Sequence, residues 1–158
     1  MWWREGVGLS SRVVTYRVND ATTVKLEIEP TEGFHPAKGH RDEVYAVCDV
    51  TVDGRALLAS GGGDRTVRLW DPQGGGQLAV LEGHQDWVDA VCALRVDGRA
   101  LLASGGDDDT VRLWDPRTSI CLLTAQTHHK VLAVAGITDS LAIGLDIGIL
   151  VIKPSAVV

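Results

Sequence analysis

Residues 39–72 read GHRDEVYAVCDVTVDGRALLASGGGDRTVRLWDP, and residues 83–116 read GHQDWVDAVCALRVDGRALLASGGDDDTVRLWDP. The two stretches lie 44 residues apart and agree, without a gap, at 26 of 34 positions. A repeat of this length and fidelity governs every other reading of the chain. The differences fall at Arg41/Gln85, Glu43/Trp87, Tyr45/Asp89, across 49–51/93–95, and in the turn from Gly63/Asp107 to Arg65/Asp109.

Each copy alternates β-rich runs with turn residues. In the first, Val44 to Val52 is a strand, and Asp53-Gly54 is a tight hairpin turn because Asp-Gly tolerates positive φ. Ala56 to Ser60 is a second strand, and Gly61-Gly62-Gly63-Asp64 reads as the next turn. Thr66 to Trp70 is a third strand. Gly74-Gly75-Gly76 reads as a flexible loop, lacking the Lys and Ser/Thr of a phosphate-binding loop, and Gln77 to Leu81 is a fourth strand. The second copy repeats this order at 88–96, 100–104, 110–114 and 120–124. Four strands in about 44 residues is the spacing of one propeller blade.

A degenerate third copy follows at 128–153, with strands expected at 131–137, 140–144 and 149–153 and no fourth. One of His128 and His129 is expected at its Gly-His position. Ala142 is placed where Ser60 and Ser104 stand, and Ile152 where Trp70 and Trp114 stand. The first 38 residues do not fit the repeat. Val13 to Val18 and Val24 to Ile28 alternate apolar and polar around Asn19-Asp20, which reads as a β-hairpin, and Pro30 to Lys38 reads as a linker. The expected organisation is therefore a hairpin and linker over 1–38, then sheets over 39–82, 83–127 and 128–158.

Gly-His at the start, a Ser-Gly turn followed by Asp, and Trp-Asp at the end of the third strand all occur twice at fixed spacing. On these residues the chain resembles the WD40 repeat family. It is similar, more narrowly, to the blades at the C-terminal end of bacterial multi-domain signalling proteins. The resemblance implies an all-β fold of WD40-type β-propeller blades, incomplete at about 2.5–3 blades. It also implies a non-catalytic protein–protein interaction scaffold or sensor.

Composition agrees with a globular chain. Of 158 residues, 45% are hydrophobic and 23% charged, with net charge -6, ordinary proportions for a soluble domain. An acidic chain lacks the basic footprint of nucleic-acid binding. Met1-Trp2-Trp3-Arg4 opens no apolar run, so no signal peptide is expected. The stretch from Leu141 to Ile152 is interrupted by Asp146 and by glycines, and it is too short to span a membrane. Cys48, Cys92 and Cys121 are odd in number and match no zinc spacing. They read as small apolar side chains in a reducing, cytoplasmic setting.

His40, Ser60 and Asp64, and equally His84, Ser104 and Asp108, invite a hydrolase reading, since these residue types form a catalytic triad. The resemblance implies a structural alternative: Asp accepts from His, His from the Ser hydroxyl, and Ser from the indole N–H of Trp70 or Trp114. Three points favour structure. The set occurs in both good copies, the Trp donor occupies the serine, and no nucleophile-elbow pattern surrounds either serine. Gly105-Gly106-Asp107-Asp108-Asp109 lacks the alternating carboxylates of a calcium loop, and Cys121 with His128-His129 shows no convergent geometry. No metal or cofactor is expected.

In the family resembled here, partners often meet the residues before and at the start of the first strand and the residue before the tetrad Asp. Those are Glu43, Tyr45 and Gly63, and Trp87, Asp89 and Asp107, positions at which the copies differ. Tyr and Trp are enriched at binding hot spots. The expected partner is a protein or peptide, with neither nucleic acid nor membrane. Closed propellers have typically four to eight blades, so a homo-oligomer, or completion by another blade-bearing chain, is expected as well. The alternative function is accordingly that of an assembly subunit.

Overall fold

The computed structural model describes the backbone of residues 12–19, 22–28 and 39–154, and side chains within 39–154. The expected linker over 30–38 lies outside the described residues. Within them the chain forms only strands and turns.

Strands β1 (Arg12–Asn19) and β2 (Thr22–Ile28) pair antiparallel as a two-stranded sheet. The first blade comprises β3 (Val44–Val52), β4 (Arg55–Gly62), β5 (Val67–Trp70) and β6 (Gln77–Leu81), paired in that order. The second comprises β7 (Val88–Val96), β8 (Arg99–Gly106), β9 (Thr110–Asp115) and β10 (Ile120–Gln126), again in order. The third holds β11 (Val131–Ile137), β12 (Ser140–Leu145) and β13 (Gly148–Ile152). All pairings are antiparallel. The first strands of successive blades lie against one another, and the sheets form an open, unclosed stack.

Local chemistry explains the turns. Asp53-Gly54 and Asp97-Gly98 both adopt positive φ at both residues, which matches the right-handed twist of the flanking strands. The loop at Gly74-Gly75-Gly76, expected to be flexible, is closed by hydrogen bonds. Asp71 N–H donates to Gly76 O and Gly75 N–H to Asp71 O, both at 2.8 Å.

Two further expectations are corrected. Gly61 and Gly62 do not turn: they end β4, without positive φ, and pair with Ala46 and Val44. The turn begins at Gly63, and Arg65 takes the positive φ of 66°. These glycines serve close approach. A Cβ on Gly61 would stand 2.6 Å from Val88 Cγ1, and one on Gly105 would stand 2.3 Å from Val131 Cγ1. In the third blade Ile143, not Ala142, holds the serine position. Ile143 pairs with Val134 as Ser60 pairs with Val47 and Ser104 with Val91. Counting back from Ile152 misplaces it because the β12–β13 turn is one residue shorter than β4–β5.

The core lies between blades. Val50, Leu57, Val67 and Leu69 of the first blade bury against Val88, Val91, Leu102 and Trp114 of the second. Leu94, Leu101, Val111 and Leu113 of the second bury against Val131, Leu141 and Ile143 of the third. The three cysteines are free and half-buried. Burial pushes the Cys48 thiol up to about 12 and Cys92 to about 11, so both are poor nucleophiles at neutral pH.

Overfilling the blade junction is expected to be destabilising. Gly105→Ala should lose about 1–3 kcal/mol in urea denaturation. Combined with Val131→Ala, it should lose less than the two changes summed. Wild-type stability in Gly105→Ala would contradict the described contact.

Candidate functional site

The second blade shows most clearly how the polar residues meet. Trp114 at the end of β9 donates its indole N–H to Ser104 Oγ at 2.8 Å. Ser104 Oγ is 2.7 Å from His84 Nε2, and His84 Nδ1 is 2.9 Å from Asp108. The first blade repeats this with Trp70, Ser60, His40 and Asp64 at 2.8, 2.7 and 2.8 Å. The eight residues singled out from the repeat thus meet as two four-residue chains.

Electrostatics assigns the protons. Burial alone would raise Asp108, but donation from the Gln85 amide, the Thr110 hydroxyl and His84 holds its carboxyl below the usual range. Asp64, buried likewise, is held well below it by the Arg41 amide, His40 and Thr66. Burial also lowers His84, against the pull of Asp108. A neutral imidazole beside an ionised carboxylate carries its proton on Nδ1. Nε2 then accepts the Ser104 proton, and Ser104 Oγ accepts the indole. Each such group left unpartnered costs roughly 1–3 kcal/mol. Ser104 is 0% exposed and Ser60 3%, so neither hydroxyl is open to a substrate carbonyl.

The network is wider than sequence reasoning found. Thr66 and Thr110 donate to Asp64 and Asp108 at 2.7 Å. Arg68 reaches Asp64 at 2.9 Å and Gln77 at 2.6 Å. The signal was present: Thr-Val-Arg-Leu-Trp is identical in both copies. In the second blade Cys121 replaces Gln77, and Arg112 Nε has no hydrogen-bond partner among the described residues. In the third, His129 Nδ1 lies 3.1 Å from Asp146. This exposed pair spans the same two loops as His40 and Asp64, without a serine or tryptophan behind it.

All six partner-face candidates lie at one end of the sheets, where β3 and β7 begin and the β4–β5 and β8–β9 turns return. Tyr45 and Trp87 are exposed by 38% and 47%, and their ring centroids are 5.6 Å apart across the two blades. Tyr45 Oη donates to Glu43 at 3.3 Å. Gly63 is close-fitted, since a Cβ there would stand 2.9 Å from Asp42 Cγ. Asp107 pairs with Lys130, a residue not foreseen from the repeat. Burial, then the charge and hydrogen bonding of Asp107, push Asp89 up to about 6. At the opposite end of the inner strands, a cavity of roughly 560 Å³ is lined by Asp49, Thr51, Arg95 and Asp139 among others. No helix among the described residues is long and apolar enough to cross a membrane.

A family model described as WD domain, G-beta repeat, matches residues 34–71 and 75–115, half of the chain. No curated protein matches it.

Two pH effects of opposite sign follow. Asp64, Asp108 and His84 bind protons less readily folded than unfolded, so their contributions are present at neutral pH and lost on acidification. His84 enters below about pH 6.5 and the carboxylates below about pH 4. Thermal melts should therefore fall steeply below pH 4, and a midpoint unchanged to pH 3 would refute the assignment. Asp89 opposes this. Its raised value removes stability as pH rises from about 4 through 6. Asp89→Asn should thus stabilise by on the order of 1 kcal/mol at pH 7.5, allowing for solvent screening. The gain should vanish near pH 4, and a gain independent of pH would point to another cause.

Proposed function

Because the chain belongs to the WD40 family, whose repeats generally mediate protein–protein interaction, we propose that it is a non-catalytic scaffold that holds a protein or peptide on the Tyr45–Trp87 end of its blades. The exposed aromatic pair carries this reading. Two large rings stand half in solvent, 5.6 Å apart, at positions where two otherwise near-identical repeats diverge. The backbone of Trp87, and that of Glu43 two residues before Tyr45, is held from beneath. Glu43 N–H donates to Asp42 and Trp87 N–H to Asp86, each at 2.9 Å. Gly63 N–H donates to Glu43 O at 2.8 Å and Asp107 N–H to Trp87 O at 3.0 Å. Rings pre-positioned on a rigid frame lose little freedom on binding, the condition under which aromatic contacts contribute most. The carboxylates of Glu43, Asp89 and Asp107 form a polar rim around them.

A second reading, an assembly subunit that self-associates or joins another blade-bearing chain, is favoured by a different observation. Apolar residues that are buried between blades have exposed counterparts on the outer faces of the first and third blades.

The scaffold reading is tested with peptides selected from a random library on the wild-type protein. Trp87→Ala should weaken their binding at least tenfold, about 1.4 kcal/mol, and shift the melting temperature by no more than a few degrees. Arg95→Ala, at the opposite end, should bind as wild type. Selected peptides that tolerate Trp87→Ala and Tyr45→Ala but lose affinity with Arg95→Ala would place the binding end elsewhere.

A further inference from the structure

Both blade junctions are built on one plan. Val88 at the start of β7 sits over Gly61, and Val131 at the start of β11 sits over Gly105. Each blade thus presents a face with a valine knob toward its predecessor and a face with a glycine hole toward its successor. Around the knob, Val91 and Leu102 of the second blade are 7% and 0% exposed. Around the hole, Val111 and Leu113 are 1% and 4% exposed.

Among the described residues, one face of each kind is left open. On the first blade, Val44 is the counterpart of Val88, with Val47 and Leu58 beside it. Their exposures are 51%, 62% and 37%. On the third blade, Gly144 pairs with Ala133 as Gly61 pairs with Ala46 and Gly105 with Ala90. The three atoms nearest a Cβ on Gly144 all belong to Ala133 of its own sheet, the closest at 3.3 Å. Ile149 and Val151 stand where Val111 and Leu113 stand, and are 81% and 59% exposed.

We propose that these faces join two copies of the chain head to tail, with Val44 of one copy seated over Gly144 of the other. The inference rests on the assembly reading above and names its partner and geometry. The open knob face reproduces, residue for residue, the surface that already packs inside the chain: Val44, Val47, Leu58 and Trp70 repeat Val88, Val91, Leu102 and Trp114. The departures that change charge along this side of the strand are Asp49 for Ala93 and Thr51 for Arg95, both at its far end. Like faces do not complement, because knob on knob leaves both glycine holes empty. The contact is therefore heterologous, and a heterologous contact makes a ring when its rotation closes. Two copies bring six of the described blades together, within the four to eight of closed propellers, whereas three would bring nine.

The experiment is light scattering of the full chain at micromolar concentration. Wild type should run at twice the 16.9 kDa of one chain. Val47→Arg blocks the knob face and Val151→Arg the hole face, so each variant alone should be monomeric. Mixed in equal amounts they should recover a dimer, because each brings the face the other lacks. If Val151→Arg fails its melting control, Ile149→Arg replaces it on the hole face; if Val47→Arg fails, Val44→Ala replaces it on the knob face. That change empties the knob at an exposed position and should raise the dimer dissociation constant at least tenfold. Monomeric wild type would overturn the inference and the self-association half of the assembly reading, leaving only completion by another blade-bearing chain. A wild-type dimer that ignores both substitutions, or blocked variants that do not complement, would overturn the head-to-tail geometry alone.

Discussion

A serine hydroxyl buried between an indole and an imidazole fixes the shape of each complete blade. Ser104 lies on β8, Trp114 on β9, and His84 in the loop before β7, so three hydrogen bonds tie two strands to a segment outside the sheet. Asp108 closes the chain in the β8–β9 turn and accepts the Gln85 amide as well. The loop end of the blade is thereby determined from inside. The residues one or two places along, Asp86, Trp87 and Asp107, have no freedom to choose their backbone. Variation is then confined to side chains, and the pattern of differences between the copies shows that confinement. Gly-His, Ser, Asp and Trp-Asp are constant, while Glu43/Trp87, Tyr45/Asp89 and Gly63/Asp107 change.

Most of the fold was legible because the repeat tests itself. Any reading of residues 39–72 had to hold again at 83–116. The Asp-Gly turns and the strand order were readable from residue type and spacing, and the four-residue chains from the family resemblance that the repeated residues carry. What was missed lay where type and spacing separate. Gly61-Gly62 has turn composition but strand conformation, because the glycines are there to let Val88 and the Glu43 carbonyl approach. Nothing in a local window reports a contact made by the next blade. The third blade misled differently. Its β12–β13 turn lacks one residue, so counting ten back from Ile152 lands on Ala142, whereas hydrogen-bond register places Ile143 there.

The candidate site was legible in part. The eight network residues could be named because the resemblance to the family implied the chain, and their chemistry is consistent with it: a donor, two amphoteric groups and an acceptor at repeated positions. Thr66, Arg68 and their counterparts were passed over although equally constant, since Thr and Arg in a strand read as ordinary solvated positions. Lys130 could not be found this way, because it belongs to the third blade and pairs with Asp107 of the second. The meeting of Tyr45 with Trp87 is likewise a property of how blades stack, since neither sequence position implies the other.

The third blade shows what the buried network requires. Its serine position is Ile143 and its tryptophan position Ile152, so donor and acceptor are lost together and the interior stays apolar. Replacing both partners of a buried hydrogen bond by apolar groups is close to neutral, whereas removing one leaves an expensive orphan. The second blade illustrates the orphan on a small scale: Arg68 Nε donates to Thr66 in the first blade, whereas the matching Arg112 Nε is left without an acceptor among the described residues. The His129–Asp146 pair survives at the surface, where water can satisfy both members and nothing forces its removal. The buried chain is thus either whole or absent in each blade, and polar remnants persist only where solvent reaches them. Where it is absent, backbone pairing and apolar matching with the second blade hold the sheet, and Leu141 and Ile143 are buried there with no polar chain among them.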